Sequence, residues 1–313
     1  MAHRKSQPMP KVRSPKPALE QAGSGARTAA PPTVSGRWLL VAVSIAIGAA
    51  GFCAWATLCL LFWQGSWQLL YHPRSAVART PASVGMDFES VGFAATEAGE
   101  ARLKGWWIAG NHESHFTAIY LHGADGNLGD TVDALLPLHR AGLNVFAFDY
   151  RGYGASKFER PSEARWREDA ESAIKYLTNT RGVPAGSLIL VGRGLGANLA
   201  LEVAAAHPEL AGLVMDEPLA RPADAIFGDA RARLVPAHLL VSERWDWNPP
   251  AAKLSIPSLW FYRLHASGKG QQDRQEAYQL VTARKERAWL TESSDATKDY
   301  DAALSRWLDD LQR

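Results

Sequence analysis

Leu188-Ile189-Leu190-Val191-Gly192-Arg193-Gly194-Leu195-Gly196-Ala197 is the stretch on which the fold turns. Four apolar residues in a row read as a short buried strand, and three glycines at alternate positions read as a sharp turn. The alanine-rich run Leu195–Ala206 then carries apolar residues at helical spacing. A strand driven through a tight turn into a helix is half of a crossover connection, and crossovers join parallel strands.

The rest of the chain repeats that alternation. Strand-like runs fall at 91–96, 103–109, 117–121, 145–148, 188–191, 213–215, 258–262 and 287–290, the first two expected to pair. Helical patterns fall at 130–141, 161–177, 195–206, 271–283 and 300–311, and the second opens on a Pro-Ser turn with acids in its first turn. Short apolar strands alternating with helices predict an α/β domain built on a doubly wound, mostly parallel sheet. The irregular stretch 222–250, with Trp245-Asp246-Trp247-Asn248-Pro249-Pro250, is expected to form a short cap or lid. A domain at 91–313 is then preceded by a linker at 64–90.

The 313 residues suit one such domain and a leader, and the net charge of +2 conceals an asymmetry. Residues 1–37 hold seven basic side chains (Arg4, Lys5, Lys11, Arg13, Lys16, Arg27 and Arg37) against Glu20 alone, which leaves the remainder mildly acidic. That remainder has no electrostatic footprint for nucleic acid. Both cysteines, Cys53 and Cys59, lie in the leader's apolar segment, so the main domain has no disulfide and no cysteine metal site. No metal and no cofactor are expected.

Within the leader, 1–37 is Pro-, Ser- and Ala-rich without hydrophobic period and reads as a disordered basic tail. Leu39 to Phe62 contains no charged residue, enough at about 1.5 Å per residue to span a hydrocarbon core of about 30 Å. Trp38 and Trp63 flank it as interfacial aromatics do, so a membrane helix is expected at 38–63. A cleaved signal peptide, the alternative, has a shorter apolar core of roughly 7–15 residues. The basic side marks the cytoplasm, which sends the main domain to the periplasmic or extracytoplasmic side.

On these motifs the chain resembles the serine-hydrolase branch of the α/β-hydrolase family, over roughly 70–313. Within that branch it is similar to membrane-anchored, serine aminopeptidase-like proteins. The resemblance rests on His122-Gly123 after a strand, Asp149-Tyr150-Arg151-Gly152-Tyr153-Gly154 with Ser156, Pro161-Ser162-Glu163, and the glycine turn. It implies an α/β-hydrolase fold with a nucleophile elbow, G-x-S-x-G, at that turn. Here the elbow reads Gly192-Arg193-Gly194-Leu195-Gly196, with Gly194 where the serine belongs. The family's acid follows the strand read at 258–262, yet 263–268 has no carboxylate and Asp273 is the next one. Asp216, ending the preceding strand, is the residual acid candidate. The family's histidine follows the last strand, and no histidine occurs after His265.

The expectation is therefore a membrane-anchored pseudo-hydrolase that binds an unknown small-molecule or protein ligand or serves a structural role. The alternative is an active esterase or peptidase with a non-standard constellation. His122, Gly123 and Ala124 with the Leu195 backbone N–H form the candidate oxyanion region, although the plain tight turn that this fold needs is the favoured reading of His122-Gly123. Arg193 reads either as an anion ligand or as a solvated side chain. A remote alternative takes Gly192-x-Gly194-x-x-Ala197 as a dinucleotide fingerprint with Asp216 as the ribose-binding acid.

Overall fold

The computed structural model describes residues 35–95, 99–110, 115–263, 271–290 and 296–313. The chain divides into two compact units, Met1–Phe52 and Cys53–Arg313. Helix α1 (Gly36–Gly65) begins in the first. It is long and apolar enough to cross a membrane, and its most apolar window has no buried share. The basic tail lies outside the described residues up to 34.

The second unit is built on eight strands: β1 (Glu89–Ala95), β2 (Ala101–Ile108), β3 (Thr117–Leu121), β4 (Asn144–Asp149), β5 (Leu188–Arg193), β6 (Gly212–Asp216), β7 (Ser258–Arg263) and β8 (Lys285–Leu290). Their order across the sheet is β8-β7-β6-β5-β3-β4-β2-β1. β1 and β2 pair antiparallel, as do β2 and β4, and every other pairing is parallel. The long helices are α2 (Val132–Arg140), α3 (Glu163–Lys175), α4 (Leu195–Ala206), α5 (Gln271–Leu280) and α6 (Ala296–Leu311). Strands β3, β5 and β6 are buried along nearly their whole length, as parallel strands covered on both faces must be. The continuous apolar runs in the sequence reflect that covering.

One apolar cluster fills each face. α2 and α6 cover the first, with Val132, Leu135, Leu138, Leu304 and Trp307 inside. α3, α4 and the 222–250 segment cover the second. On this side Trp166 of α3 is fully buried, stacked on Tyr150 at 4.0 Å between ring centres. Tyr71 meets Trp166 edge-on at 5.3 Å, and Trp245 does so at 5.7 Å. The family-like motifs hold this arrangement together. Ser162 Oγ caps α3 by accepting from the Arg165 N–H, and Glu163 accepts the backbone N–H groups of Arg244 and Trp245, which fastens the cap segment. Asp149 accepts the Leu128 N–H at 2.7 Å, and Ser156 Oγ donates to the Asp149 carbonyl at 2.6 Å.

Two boundaries differ from the sequence reading. The stretch 64–90 is built into the domain, with Leu70, Tyr71 and Met86 buried. His72 and Pro73 pair with Asp125 and Gly126. The last turns of α1 do the same, since Phe62 is buried and Leu58 and Cys59 pack against the second-face cluster. A hydropathy profile reports only that these side chains avoid water, so it cannot separate lipid from a protein core. The 222–250 segment folds into short turns of helix, including Asp224–Phe227 and Ala237–Leu240.

Tyr71 is the pin for this added region. Its hydroxyl donates to Glu243 Oε2 at 2.7 Å and accepts from Trp245 Nε1 at 3.1 Å. Tyr71→Phe leaves a buried carboxylate and an indole short of a partner, a loss of about 1–3 kcal/mol. Urea unfolding of the full chain in detergent should show that loss. A linker residue would show none.

Candidate functional site

The strand order sets the location. After β3 the chain steps to β4 on one side and then returns to β5 on the other, so β3 and β5 are neighbours with a change of winding between them. Ligands of open α/β sheets bind at such switch points, outside the carboxyl ends of the strands. The residues there are His122-Gly123 after β3 and Arg193-Gly194 after β5.

The elbow is held by backbone crowding. A Cβ on Gly196 would stand 2.1 Å from the Leu121 carbonyl oxygen, and one on Gly192 would stand 2.2 Å from the Gly196 oxygen. α4 can therefore press onto the ends of β3 and β5 only with glycine at both places. Gly194 differs from them. It has φ +57° and ψ −123°, a conformation that side chains rarely adopt, yet a Cβ there would meet nothing within 4 Å. Its N–H donates to the Asp216 carbonyl at 2.9 Å. The apex is shaped and open, and it bears no side chain. Leu195, with its side chain buried, is the first residue of α4, where N–H groups lack intrahelical partners.

His122 is turned away from this opening. It is fully buried beside Tyr150 and Tyr153, with Nδ1 2.8 Å from the Gly123 carbonyl oxygen and Nε2 3.6 Å from Asp149 Oδ1. Burial pulls its imidazole down to about 4 and pushes the Asp149 carboxyl up to about 7. The ring is enclosed and burial disfavours its imidazolium form, so it is a poor base for anything at Gly194. The Ala124 carbonyl accepts the His72 N–H and the Tyr153 hydroxyl, and Gly123 lies against the Arg193 carbonyl. The tight-turn reading of His122-Gly123 fits these contacts.

Beside the apex, on the face of α2 and α6, lies a cavity of about 190 Å3 lined by Tyr120, Pro137, Arg193, Asp216, Arg263 and Tyr300. The Arg193 side chain is 42% exposed and faces carboxylates on its inner side. Its Nε is 3.7 Å from Asp216 Oδ2 and its Nη2 is 3.6 Å from Glu217 Oε2, and Glu217 also faces Arg263 at 3.1 Å. These carboxylates oppose its use as a ligand for an anion. Burial pushes the Asp216 carboxyl up to about 6 against the pull of Arg193, and Asp216 Oδ1 has no hydrogen-bond partner. The Tyr120 hydroxyl is likewise buried without one. The dinucleotide fingerprint normally opens the first crossover unit, whereas Gly192–Ala197 stands at the end of β5, with four strands before it. His265 and the turn after β8 lie outside the described residues.

Sequence reasoning missed Glu217, Arg263, Tyr120 and Tyr300. Glu217 has φ +51°, a left-handed conformation at the residue after a strand end, and nothing in a lone Asp-Glu pair announces it. Tyr120 was legible through strand alternation, which turns it to the face opposite Leu121.

The family described as "Serine aminopeptidase, S33" matches residues 113–302. An alpha/beta hydrolase domain-containing protein, aho-3, of Caenorhabditis elegans is 36% identical over 107 residues, 34% of this chain and 32% of its own length. The protein YfhR of Salmonella typhimurium is 35% identical over 133 residues, 41% of this chain and 43% of its own. The chain thus spans 32% and 43% of the length of these two curated relatives. Among solved structures, the Pyrococcus furiosus esterase Pf2001 superposes with TM-score 0.57 at 18% identity, over 77% of this chain and 97% of that one. An alpha-beta hydrolase from Vibrio vulnificus gives 0.54 at 20%, over 74% and 81%. At such identities the structural likeness concerns the α/β-hydrolase fold alone.

Two measurements test the site. Gly194→Ala should cost about 1–3 kcal/mol from its dihedral angles alone, and Gly196→Ala should cost more, because backbone 2.1 Å from the new Cβ must move. Denaturant midpoints compare the two. For Asp216 the folded carboxyl holds its proton up to about pH 6, against about 3.9 when unfolded. Its contribution to stability is therefore present in full below about pH 4, and it is lost as pH rises to about 6. Asp216→Asn should gain on the parent across that window, by an amount on the order of 3 kcal/mol, and stay level above it. Melting temperatures from pH 4 to 8 read the trend.

Proposed function

The chain belongs to the serine aminopeptidase S33 family, whose members are serine hydrolases of α/β-hydrolase fold, and on that premise we propose that it is a non-catalytic member, tethered to a membrane. The observation that carries this reading is Gly194. It stands at the apex of an elbow with the required dihedral angles and with room for a side chain, and it has nothing with which to attack a carbonyl carbon. Acyl transfer by a serine triad needs a nucleophile, a base within hydrogen-bond reach, and a group that orients the base. His122, directly after β3, is sealed in the core, and no histidine follows His265.

What remains at the site suits binding. The outer glycines keep the turn, and the charged cluster of Arg193, Asp216, Glu217 and Arg263 borders a small cavity with unsatisfied polar atoms. A polar small molecule or a partner's side chain that satisfies Asp216 Oδ1 and the Tyr120 hydroxyl is the occupant these groups favour. The apolar helix α1 supports the anchored reading, and the basic residues before it favour a cytoplasmic tail with the domain on the opposite side.

The test is labelling with a fluorophosphonate and turnover of short p-nitrophenyl esters by the full chain in detergent. Neither should exceed a heat-treated control. Gly194→Ser should fold, given the open space, and still show no robust esterase activity, because no base takes its proton. Clear turnover by the unaltered chain would mean a catalytic group outside the family's positions, with Asp216 the first residue to change.

A further inference from the structure

A second cavity, well away from the elbow, opens where α1 enters the domain. It measures about 370 Å3 and is lined by Trp63, Ser66, Trp67, Arg160, Arg165 and Glu243, with Leu240 and Val241 of the cap segment. The Ser66 hydroxyl is buried there and has no hydrogen-bond partner. Arg160 reaches over the Trp63 ring at 5.8 Å and donates from Nη2 to the Trp63 carbonyl at 2.8 Å. No described carboxylate lies within ion-pair distance of it. Arg165 donates to the Arg160 carbonyl at 3.1 Å, and its Nε is 3.5 Å from Glu159. Glu243 Oε2 is already taken by the Tyr71 hydroxyl and the Glu163 N–H. Arg165 is shared with Glu159 and Glu243 is engaged, which leaves the Arg160 guanidinium without a carboxylate partner and the Ser66 hydroxyl as an unused donor. That combination suits a single anionic phosphodiester.

The surroundings say where such a group comes from. Phe158, Leu234 and Leu239 are large apolar side chains 80%, 62% and 87% exposed. Two sit beside a tie to the helix: Phe158 lies two residues before Arg160, and the Leu234 carbonyl accepts Trp55 Nε1–H at 3.1 Å. Leu239 precedes Leu240 of the cavity wall. Apolar side chains and tryptophans mixed with arginines characterise a surface at lipid headgroup level. α1 runs for 30 residues, about 45 Å at about 1.5 Å per residue, which exceeds a hydrocarbon core of about 30 Å. The bond from Trp55 sets the Leu234 segment beside the later part of that apolar helix.

We propose that this cavity seats the phosphodiester headgroup of a glycerophospholipid, held by Arg160, Arg165 and the Ser66 hydroxyl, with its acyl chains passing Trp63 and Leu240 into the bilayer. The inference rests on the membrane-anchored reading of α1, and it adds a defined lipid site to a helix that would otherwise only tether. It does not depend on whether the elbow is catalytic.

The experiment uses the full chain in nanodiscs of phosphatidylethanolamine and phosphatidylglycerol in equal parts. Lipid retained after mild detergent release is counted by native mass spectrometry. Carbonate extraction of the expressing cells' membranes is run first. The expected result is a carbonate-resistant chain that keeps a phospholipid adduct, with at least a tenfold loss of that adduct when Arg160→Gln and Arg165→Gln are combined. Ser66→Ala removes only an unpartnered hydroxyl and should fold. It should weaken the adduct too, and it decides the matter if the double variant melts early. An adduct unchanged in Ser66→Ala and in a folded double variant overturns the headgroup site while leaving the anchor intact. A chain released by carbonate overturns the anchor and the site together. Displacement of the adduct by inorganic phosphate at equal concentration would assign the cavity to a free anion and overturn the lipid source.

Discussion

The close approach of α4 to the ends of β3 and β5 is the constraint on which the rest of the domain depends. Gly192 and Gly196 leave no room for a methyl group against carbonyl oxygens on neighbouring backbone. With that contact made, β5 must turn sharply at Gly194, α4 must start directly beyond it, and the Asp216 carbonyl is near enough to accept the Gly194 N–H. The turn is thus determined by the residues that flank its apex. Nothing in the packing requires the apex itself to carry a side chain or to lack one, so the elbow can keep its shape whether or not a nucleophile stands there.

Around this turn, the residues that resemble hydrolase motifs are engaged in holding segments together. Asp149 and Ser156 fold the loop after β4, Ser162 starts α3, and Glu163 grips the cap segment through two consecutive N–H groups. Arg151 adds a buried ion pair to Asp169 at 2.6 Å. Truncating one partner of such a pair leaves an uncompensated charge, a strong reason for both to persist. The motifs are therefore compatible with either presence or loss of catalysis. What bears on chemistry is the cluster of Arg193, Asp216, Glu217 and Arg263, where opposite charges satisfy each other in a partly enclosed space.

The segment between the apolar helix and the first strand of the sheet couples these parts. Tyr71 joins Glu243 and Trp245 of the cap to Trp166 of α3, and Trp166 stacks on Tyr150 next to His122. The end of α1, the cap and the floor of the site consequently share one aromatic cluster. Side chains packed this closely shift as a group, because interiors at crystalline density have few alternative arrangements.

The fold was legible in the sequence because a covered parallel sheet forces its strands into unbroken apolar runs, and because Gly192-Arg193-Gly194-Leu195-Gly196 joins one such run to a helix. Strand positions and the absence of a hydroxyl at the apex follow from local residue identity. Long-range placement does not. That His122 is sealed beside Tyr150, that Arg193 is neutralised by Asp216 and Glu217, and that Leu58, Cys59, Phe62 and Tyr71 belong to a protein core were decided only in three dimensions. The physical reason is common to all three. Burial and charge pairing are properties of what lies across the chain, and hydropathy along it carries no record of the partner.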